Sequence, residues 1–425
     1  MNRPIMVLRM SLGITLVAVF CASAVAQRPT ETPRQPPIKE APSGSSTQTQ
    51  EQPEEGWSYN PDAGFVYQHG DFKWTIWGFG ERLFDPRGTD SFRRVRQGME
   101  FDLPRVTQKY RAAFVYEIDL TNNNFFRNGQ GRRGFENLFF AVQNADDPGR
   151  VRILLGENTH IISREDNLSS GNLPTINRSL ILEEHGSVNS FGTQFGVQAQ
   201  VALSPLITLA LSAQDNRGSL NQDSPRYVIG NSLAAKLTTL AVNDERGGRK
   251  LTYGFGIDHT RDIRNRTFTL ASAISSEALG GTEATGNKLT LEGDITYTAR
   301  IGSHPYTLEA EGLRSNCSRS RTNVGGGYAQ AQFSVFDSAR AGDLDPFVRY
   351  DFVRLDRKAI NGSALQRALR TGVNYNLPFT RKLANLRLEY ARNRVTGPPE
   401  IVPVARSFDE FRLELRFNVT RYTRH

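Results

Sequence analysis

Hydrophobic and polar residues alternate along most of this chain, from Trp57 onward. In residues 289–298, LTLEGDITYT, the large apolar side chains occupy odd-numbered positions, and acids and hydroxyls occupy the even-numbered ones. Residues 251–258, LTYGFGID, and residues 411–419, FRLELRFNV, repeat the pattern. Strict alternation over eight or more residues predicts β-strands with one apolar and one polar face. No segment of this region favours helical spacing, so we expect an all-β fold.

The alternation predicts sixteen strands, joined by connections of unequal length. Residues 203–206 and 300–304 read as tight turns, whereas residues 157–190 form a long connection that folds outward or inward. Residues 63–68 and 266–276 would raise the count to eighteen if each formed a strand, and we interpret 266–276 as part of a long loop. The predicted strand centres lie near residues 78, 97, 114, 139, 153, 196, 210, 237, 256, 293, 309, 329, 350, 372, 390 and 414.

Such strands fit either a soluble sandwich or a membrane barrel, which differ in where the polar faces lie. A sandwich turns its polar faces to outside water, whereas a membrane barrel turns them inward to line the lumen. Long strands of about 10–14 residues, in hairpin succession without a helix, favour the barrel. Aromatic residues near strand ends fit a membrane girdle, and they include Trp74, Trp77, Phe79 and Phe84. We therefore predict a transmembrane antiparallel β-barrel over residues 57–425.

The N-terminus carries an export signal. Arg3 and Arg9 precede the apolar stretch 11–21, and Ala24-Val25-Ala26 follows as a cleavage site, so residues 1–26 read as a signal peptide. Phe20 argues against lipid attachment at Cys21. Residues 27–56 are rich in Pro, Gln, Ser and Thr and contain no aromatic residue, which predicts a disordered periplasmic segment that contacts the cell wall or serves as a linker. Export and the barrel together predict the bacterial outer membrane.

Arginine dominates the charge. The chain has 52 basic residues, of which 8 are lysine, against 44 acidic residues. Arginine suits the binding of phosphate and carboxylate, but genome composition explains its abundance equally well. The parity of strand positions, by which every second side chain faces the lumen, also places carboxylates there. Many of the arginines are therefore expected to pair with these carboxylates. Lumenal side chains on this reading include Arg94, Arg96, Glu100, Asp102, Arg111, Glu117, Asp119, Arg152, Glu292, Asp294, Glu309, Glu311, Arg349, Asp351, Arg370, Arg387, Glu389, Arg412, Glu414 and Arg416.

Motifs for catalysis or cofactor binding are weak. Residues 129–134 match GxGxxG but lie between strands with no helix after them, so we interpret them as a loop. His259 is the one histidine well inside a strand, and no nucleophile stands beside it. The sequence contains no zinc spacing, no GxSxG and no HExxH. We predict no catalytic residue, no metal, no cofactor and no nucleic-acid partner.

Two stretches resemble the phosphate-selective porin O and P family. FRRVRQGMEF at 92–101 and KYRAAFVYEIDL at 109–120 look like consecutive strands of that family, and residues 151–180 resemble its fifth strand and inward-folding third loop. Gly156, the pair Ser169-Ser170 and Arg178 match family positions. The resemblance covers residues 72–203, and the C-terminal half agrees in strand rhythm alone.

The resemblance implies a sixteen-stranded, typically trimeric channel constricted by loop 157–190. Arg164 and Arg178 would then lie near the constriction, with Arg94 and Arg96 on the facing wall. Together with the lumenal arginines given by parity, the expected anion-guiding set is Arg94, Arg96, Arg152, Arg164, Arg178 and Arg349, with Glu165 and Asp166 as acids of the loop.

Some positions depart from the family pattern. Glu165, Asp166 and Gly171 stand where phosphate-selective members carry lysines, Asn177 replaces the signature glutamate, and no lysine lies between residues 109 and 236. The chain also ends in TRYTRH after Phe417 and Val419, so that Tyr422 or a displaced aromatic residue would serve as the terminal assembly signal. Phosphate specificity is therefore not expected to be strong.

These observations predict a passive homotrimeric porin in outer-membrane lipid, passing small solutes with a modest preference for phosphate-like anions. The alternative is a structural or adhesive barrel with a plugged lumen that anchors the envelope through residues 27–56. An outer-membrane enzyme is the third reading.

Overall fold

Sixteen antiparallel strands close into a barrel in the computed structural model of this chain. The structure describes residues 55–60, 63–84, 91–120, 135–168, 173–182, 193–215, 229–244, 247–275, 277–338, 341–378, 380 and 383–418. The signal peptide, most of segment 27–56, the GxGxxG match, Ser169-Ser170, Gly171, Val419 and Tyr422 lie outside these ranges. Among the described residues, no helix is both long enough and apolar enough to cross a membrane.

The strands alternate with turns and loops along the whole described chain, with one short 3-10 turn at Lys358–Ile360. They are β1 Gly56–Asn60, β2 Gly64–His69, β3 Phe72–Phe84, β4 Ser91–Arg105, β5 Tyr110–Asp119, β6 Phe135–Asn144, β7 Val151–Thr159, β8 Thr193–Ser204, β9 Ile207–Asp215, β10 Ser232–Asp244, β11 Arg249–Ala271, β12 Ala278–Ile301, β13 His304–Cys317, β14 Thr322–Phe333, β15 Phe336–Ser338, β16 Gly342–Arg357, β17 Gly362–Asn376, β18 Ala384–Thr396 and β19 Arg406–Asn418.

The barrel ring consists of β3 to β14 and β16 to β19, and it closes where β19 pairs with β3. Each of the sixteen predicted strand centres lies within one of these strands. Residues 63–68 do contribute to a strand, β2, but it forms a hairpin with β1 and pairs with the first residues of β3 beside the closing seam. Residues 266–271 continue β11, so the interpretation of this stretch as loop was wrong. Neither segment adds a strand to the ring.

Burial is inverted relative to a soluble protein, and this separates the barrel from the sandwich. Phe255 is 59% exposed on the outer face, whereas Glu414 and Arg416 on the inner face are 0% exposed. In residues 251–258, 289–296 and 411–418, the odd-numbered apolar positions face outward, and the charged positions between them face inward. Apolar outside and polar inside is the arrangement that lipid requires of a barrel.

Aromatic side chains form a belt on the outer face near the end of the barrel where the short turns lie. Trp57 packs on Trp74, Trp74 stacks on Phe101, and Phe101 contacts Phe114. Rings of this kind suit the membrane interface. The sequence-based assignment of Trp77 and Phe79 to the belt was wrong, because these side chains are on the inward parity of β3 with Thr75 and Glu81 and are 5% and 4% exposed.

The hairpin of β11 and β12 extends beyond the ring and bends over the end of the barrel where the long loops lie. Register shifts between Thr260 and Arg266 mark the bend. The tip then reaches β18 and β19, which are not neighbours of β11 or β12 in the sheet. The N–H groups of Ile274 and Ser275 donate to the carboxylate of Glu410, at 3.2 and 3.0 Å. The hairpin therefore covers part of that opening.

Candidate functional site

The described parts of the connection between β7 and β8, residues 160–168 and 173–182, fold into the lumen, as the family resemblance implied. Glu165 is the anchor of its first half: the carboxylate accepts from Arg349 Nη1 at 2.6 Å and from the N–H of Ser179 at 2.8 Å. Burial alone would raise the pKa of Glu165, but the ion pair with Arg349 and the Ser179 bonds outweigh it and lower that pKa. The loop acid is therefore held ionised against the inner wall.

A second anchor holds the described part of the loop after residue 172. The N–H of Ile176 donates to Glu389 at 2.6 Å, and Arg370 donates to the carbonyls of Asn177 and Arg178, each at 2.9 Å. Arg370 also bonds Glu389 at 2.6 Å. The loop is thus tied to β16, β17 and β18, all on one side of the barrel.

Arg164 lies at the junction between the loop and the open part of the lumen. Its Nη1 donates to Glu309 at 2.8 Å, and its N–H donates to Glu311 at 3.1 Å. Burial lowers the pKa of Arg164, but the charge of Glu309 outweighs this effect and raises that pKa overall. Arg178, by contrast, turns back into the loop, where it pairs with Asp166 at 3.3 Å.

A cavity of about 520 Å³ remains between the loop and the wall formed by β3 to β12. Three cationic side chains and three carboxylates line it, together with amides, threonines and apolar groups. The charged lining residues are Glu100, Glu117, Arg152, Arg164, Lys236 and Asp294.

Most of these charges are satisfied by neighbours. Lys236 pairs with Glu292 at 3.0 Å and with Asp294 at 2.7 Å. Glu117 accepts from Arg96 at 3.4 Å and from Asn137 at 2.9 Å. The expectation that lumenal arginines are paired with carboxylates therefore fits the structure at many positions.

Arg152 differs from the other lining cations. Within the described part of the chain it forms no hydrogen bond and no ion pair, and its guanidinium lies over the ring of Phe139, 5.7 Å from the ring centre. Nearby Arg111 is paired to Asp102 at 3.8 Å. Arg152 therefore presents a cation whose hydrogen-bond donors are open to a solute.

The six predicted anion-guiding arginines thus occupy different settings. Arg152 and Arg164 line the cavity, whereas Arg94, Arg96, Arg178 and Arg349 are not among its described lining residues. Arg94 and Arg96 do face inward, at 8% exposure each. Arg349 is buried at the loop anchor, where it also bonds Asp351 at 3.0 Å. The role of each in ion selectivity stays a prediction.

The sequence reasoning missed an apolar patch inside the lumen. Trp77, Val115, Phe139 and Ala141 are buried together, with Leu154 packed against them. Trp77 can lie flat on the wall because Gly98 stands opposite it in β4, and a Cβ atom at Gly98 would be 2.2 Å from Trp77 Cε2. The sequence signal for this patch was present in β3, where Trp77 lies on the same face of the strand as the charged Glu81.

A buried polar cluster secures the start of the loop. Ser232 Oγ donates to Asp258 at 2.8 Å, and His160 Nε2 lies 3.6 Å from the same carboxylate. All three side chains are about 1% exposed, so a solute does not reach them. The cluster joins β7 to β10 and β11 and has a structural role. Among the described residues, no group of three or more His, Cys, Asp or Glu side chains is arranged to hold a metal ion.

Solved outer-membrane proteins share this fold. OmpT of Vibrio cholerae in its trimer form is 11% identical, with a TM-score of 0.52 over 82% of this chain and 99% of that one. OmpF of Salmonella typhi, in complex with daunomycin, is 10% identical, with a TM-score of 0.51 over 83% and 99%. Among curated protein sequences, none matches this chain.

Family membership rests on a match between sequence and family model. The model of the phosphate-selective porin O and P family matches residues 73–397, which covers all but the last of the sixteen ring strands and the whole inward loop. A porin of the outer membrane accounts for the closed barrel, the apolar outer face and the charged lumen, and it points to a channel rather than an enzyme. The chain belongs to the phosphate-selective porin O and P family.

Proposed function

We propose that this outer-membrane channel passes small solutes by passive diffusion with a modest preference for anions. The observation that carries the proposal is the setting of Arg152, which lines the cavity and has no ion-pair partner in the described part of the chain. Arg164 and Lys236 also line the cavity, but Glu309, Glu292 and Asp294 offset their charge. A guanidinium without an ion-pair partner among the described residues supports a small excess of anions in the lumen.

Strong phosphate specificity is not supported by the lining. A phosphate that carries about two negative charges at neutral pH would require more than one free cation. Only Arg152 meets that description among the described lining residues. We therefore assign the anion preference to charge in general.

The test is the zero-current potential of purified protein in planar bilayers under a KCl gradient. We expect the sign of this potential to show that chloride is more permeant than potassium, and we expect the potential to shift toward zero in Arg152→Gln. Arg367→Gln is the matched control, because Arg367 is exposed on the outer face of β17. Cation preference of the unmodified channel would overturn the anion proposal.

The alternative of a plugged structural barrel has one observation in its favour. The inward loop and the β11–β12 hairpin pack together in an apolar cluster that includes Ile162, Leu180, Phe268 and Leu270. The cluster also includes Val353 and Leu355 of β16 and Ala364 of β17. Absence of conductance in the bilayer experiment would favour this alternative. Contact of residues 27–56 with the cell wall stays a prediction, since nearly all of that segment is outside the described ranges.

We propose further that the channel assembles as a homotrimer. The trimer form of the Vibrio cholerae protein with the same fold supports this proposal, as does the family resemblance. Cross-linking of the protein in native outer membranes tests it. A cross-linked band at three times the mass of the mature chain is expected. A band at the monomer mass alone would contradict the proposal.

A further inference from the structure

The lumen contains an apolar surface that a channel for inorganic ions does not require. Trp77, Val115, Phe139 and Leu154 come from four different strands, and all four line the cavity. The loop contributes Ile161 and Leu168 to the same cavity. Water in contact with such groups is readily displaced by an apolar solute, because burial of apolar area is favourable by about 25 cal/mol per Å².

The indole of Trp77 is positioned by the backbone opposite it. Gly98 leaves the space over which the ring lies, and any larger residue there would displace the ring. Val115 and Phe139 then continue the apolar surface from β5 to β6. Two aromatic rings beside aliphatic side chains suit a planar aromatic group, which can pack against the rings by offset or edge-to-face contact.

Arg152 adds one open cation to this surface. Its guanidinium lies above Phe139 and is not held by a carboxylate within ion-pair distance among the described residues. The neighbouring carboxylates Glu100 and Asp102 act on it from farther away, and Arg111 opposes them. A guanidinium presents a fork of donors that matches the two oxygens of a carboxylate.

We propose that this cavity is a binding site for aromatic monocarboxylates, with the ring on Trp77 and Phe139 and the carboxylate on Arg152. The inference rests on the proposed channel function, because the solute reaches the cavity through the channel. The single positive charge of Arg152 matches the single negative charge of a monocarboxylate. Inorganic phosphate has no apolar group to place on the patch, and an aromatic amine would meet Arg152 as a like charge.

Fluorescence of Trp77 reports occupancy of the site directly. The chain has three tryptophans, so the variant Trp57→Phe/Trp74→Phe keeps Trp77 alone. Titration of this full-length variant in detergent with benzoate is expected to change the Trp77 emission with saturation. Acetate, inorganic phosphate and benzylamine are the comparison probes, and each is expected to need about a tenfold higher concentration, the factor given by loss of one charge-assisted hydrogen bond or of the apolar contact. An equal response to acetate or phosphate, or a stronger response to benzylamine, would overturn the proposal.

Arg152→Gln in the same background tests the carboxylate contact. We expect about a tenfold loss of benzoate affinity from removal of a charged donor, and no change in Arg367→Gln. Unchanged benzoate affinity in Arg152→Gln would overturn the assignment. Bilayer conductance of the same variants separates the two proposals. Saturable quenching without conductance would refute the channel function and keep the site, whereas conductance without quenching would refute the site alone.

Discussion

Glu165 of the inward loop and Arg349 of β16 form a fully buried ion pair, with Oε1 and Nη1 2.6 Å apart. Arg349 also stacks on the ring of Tyr328, with the guanidinium 3.7 Å from the ring centre. The pair fixes the loop at mid-height of the barrel, and with it the position of Arg164 beside the cavity. We therefore expect this contact between the loop and the wall to set the channel width.

Loss of one partner of this pair should free the loop. We expect Glu165→Gln to increase hydrogen exchange at residues 160–168 by an amount corresponding to about 1.5–3 kcal/mol, because the loop loses a charge-assisted hydrogen bond while Arg349 keeps Asp351 as its partner. Asp244→Asn is the control. It breaks the exposed ion pair between Asp244 and Arg249, 3.1 Å apart, and a loss of about 0–1 kcal/mol of stability is expected from that change. Equal protection of the loop in the unmodified protein and Glu165→Gln would show that the pair does not anchor it.

The same pair predicts how loop anchoring depends on pH. Since the folded-state pKa of Glu165 is lowered from its ordinary value of 4.5, its contribution is fully present above about pH 4.5 and is lost as pH falls through the folded pKa. Arg349, Glu311 and Asp351 surround the same contact, so the quantity to measure is the difference in exchange between the unmodified protein and Glu165→Gln. That difference should shrink as pH falls below about 4.5 and through the folded-state pKa of Glu165. A difference that already vanishes near pH 6 would mean a raised pKa.

The glycine opposite Trp77 should be sensitive to a single methyl group. Gly98→Ala places a Cβ atom where the indole lies, so the ring must move into the cavity. We expect a lower single-channel conductance and a shifted emission maximum of Trp77. Gly293→Ala, whose new Cβ would have its nearest neighbour at 3.9 Å, is the control and should leave both unchanged. Identical conductance in the two variants would place Trp77 outside the conducting path.

The hairpin tip should restrict entry from the side of the long loops. Glu410→Ala removes the acceptor of two backbone N–H groups of the tip, and we expect larger and noisier single-channel currents. Glu283 lies on the exposed side of the same hairpin, so Glu283→Ala should have little effect on the currents. If both variants conduct like the unmodified protein, the hairpin does not limit ion flow.

Local pattern was enough to predict most of the barrel, because the two-residue period of a strand fixes which side chains face the lumen. Arg94, Asp102 and Glu292 all face inward as their parity requires. The parity rule was not applied to Trp77 and Phe79, because their aromatic character suggested a membrane girdle. In β3 the inward Glu81 shares their parity, and a charged neighbour two or four residues away indicates the lumen better than ring chemistry does.

The site was less predictable, since ion pairing depends on residues far apart in the chain. Glu165 and Arg349 are separated by 184 positions, and Ile176 and Glu389 by 213. The sequence alone therefore placed Arg152, Arg178 and Arg349 in one group. The fold separates them into an open cavity cation, an internal brace of the loop and a buried anchor.

The ion current of the purified protein in a planar bilayer tests the central claim most directly. A water-filled lumen with Arg152 open to the cavity predicts ohmic single-channel steps and, under a KCl gradient, a zero-current potential of the sign given by chloride permeation. Absence of any conductance, or a potential of the opposite sign, would contradict this account.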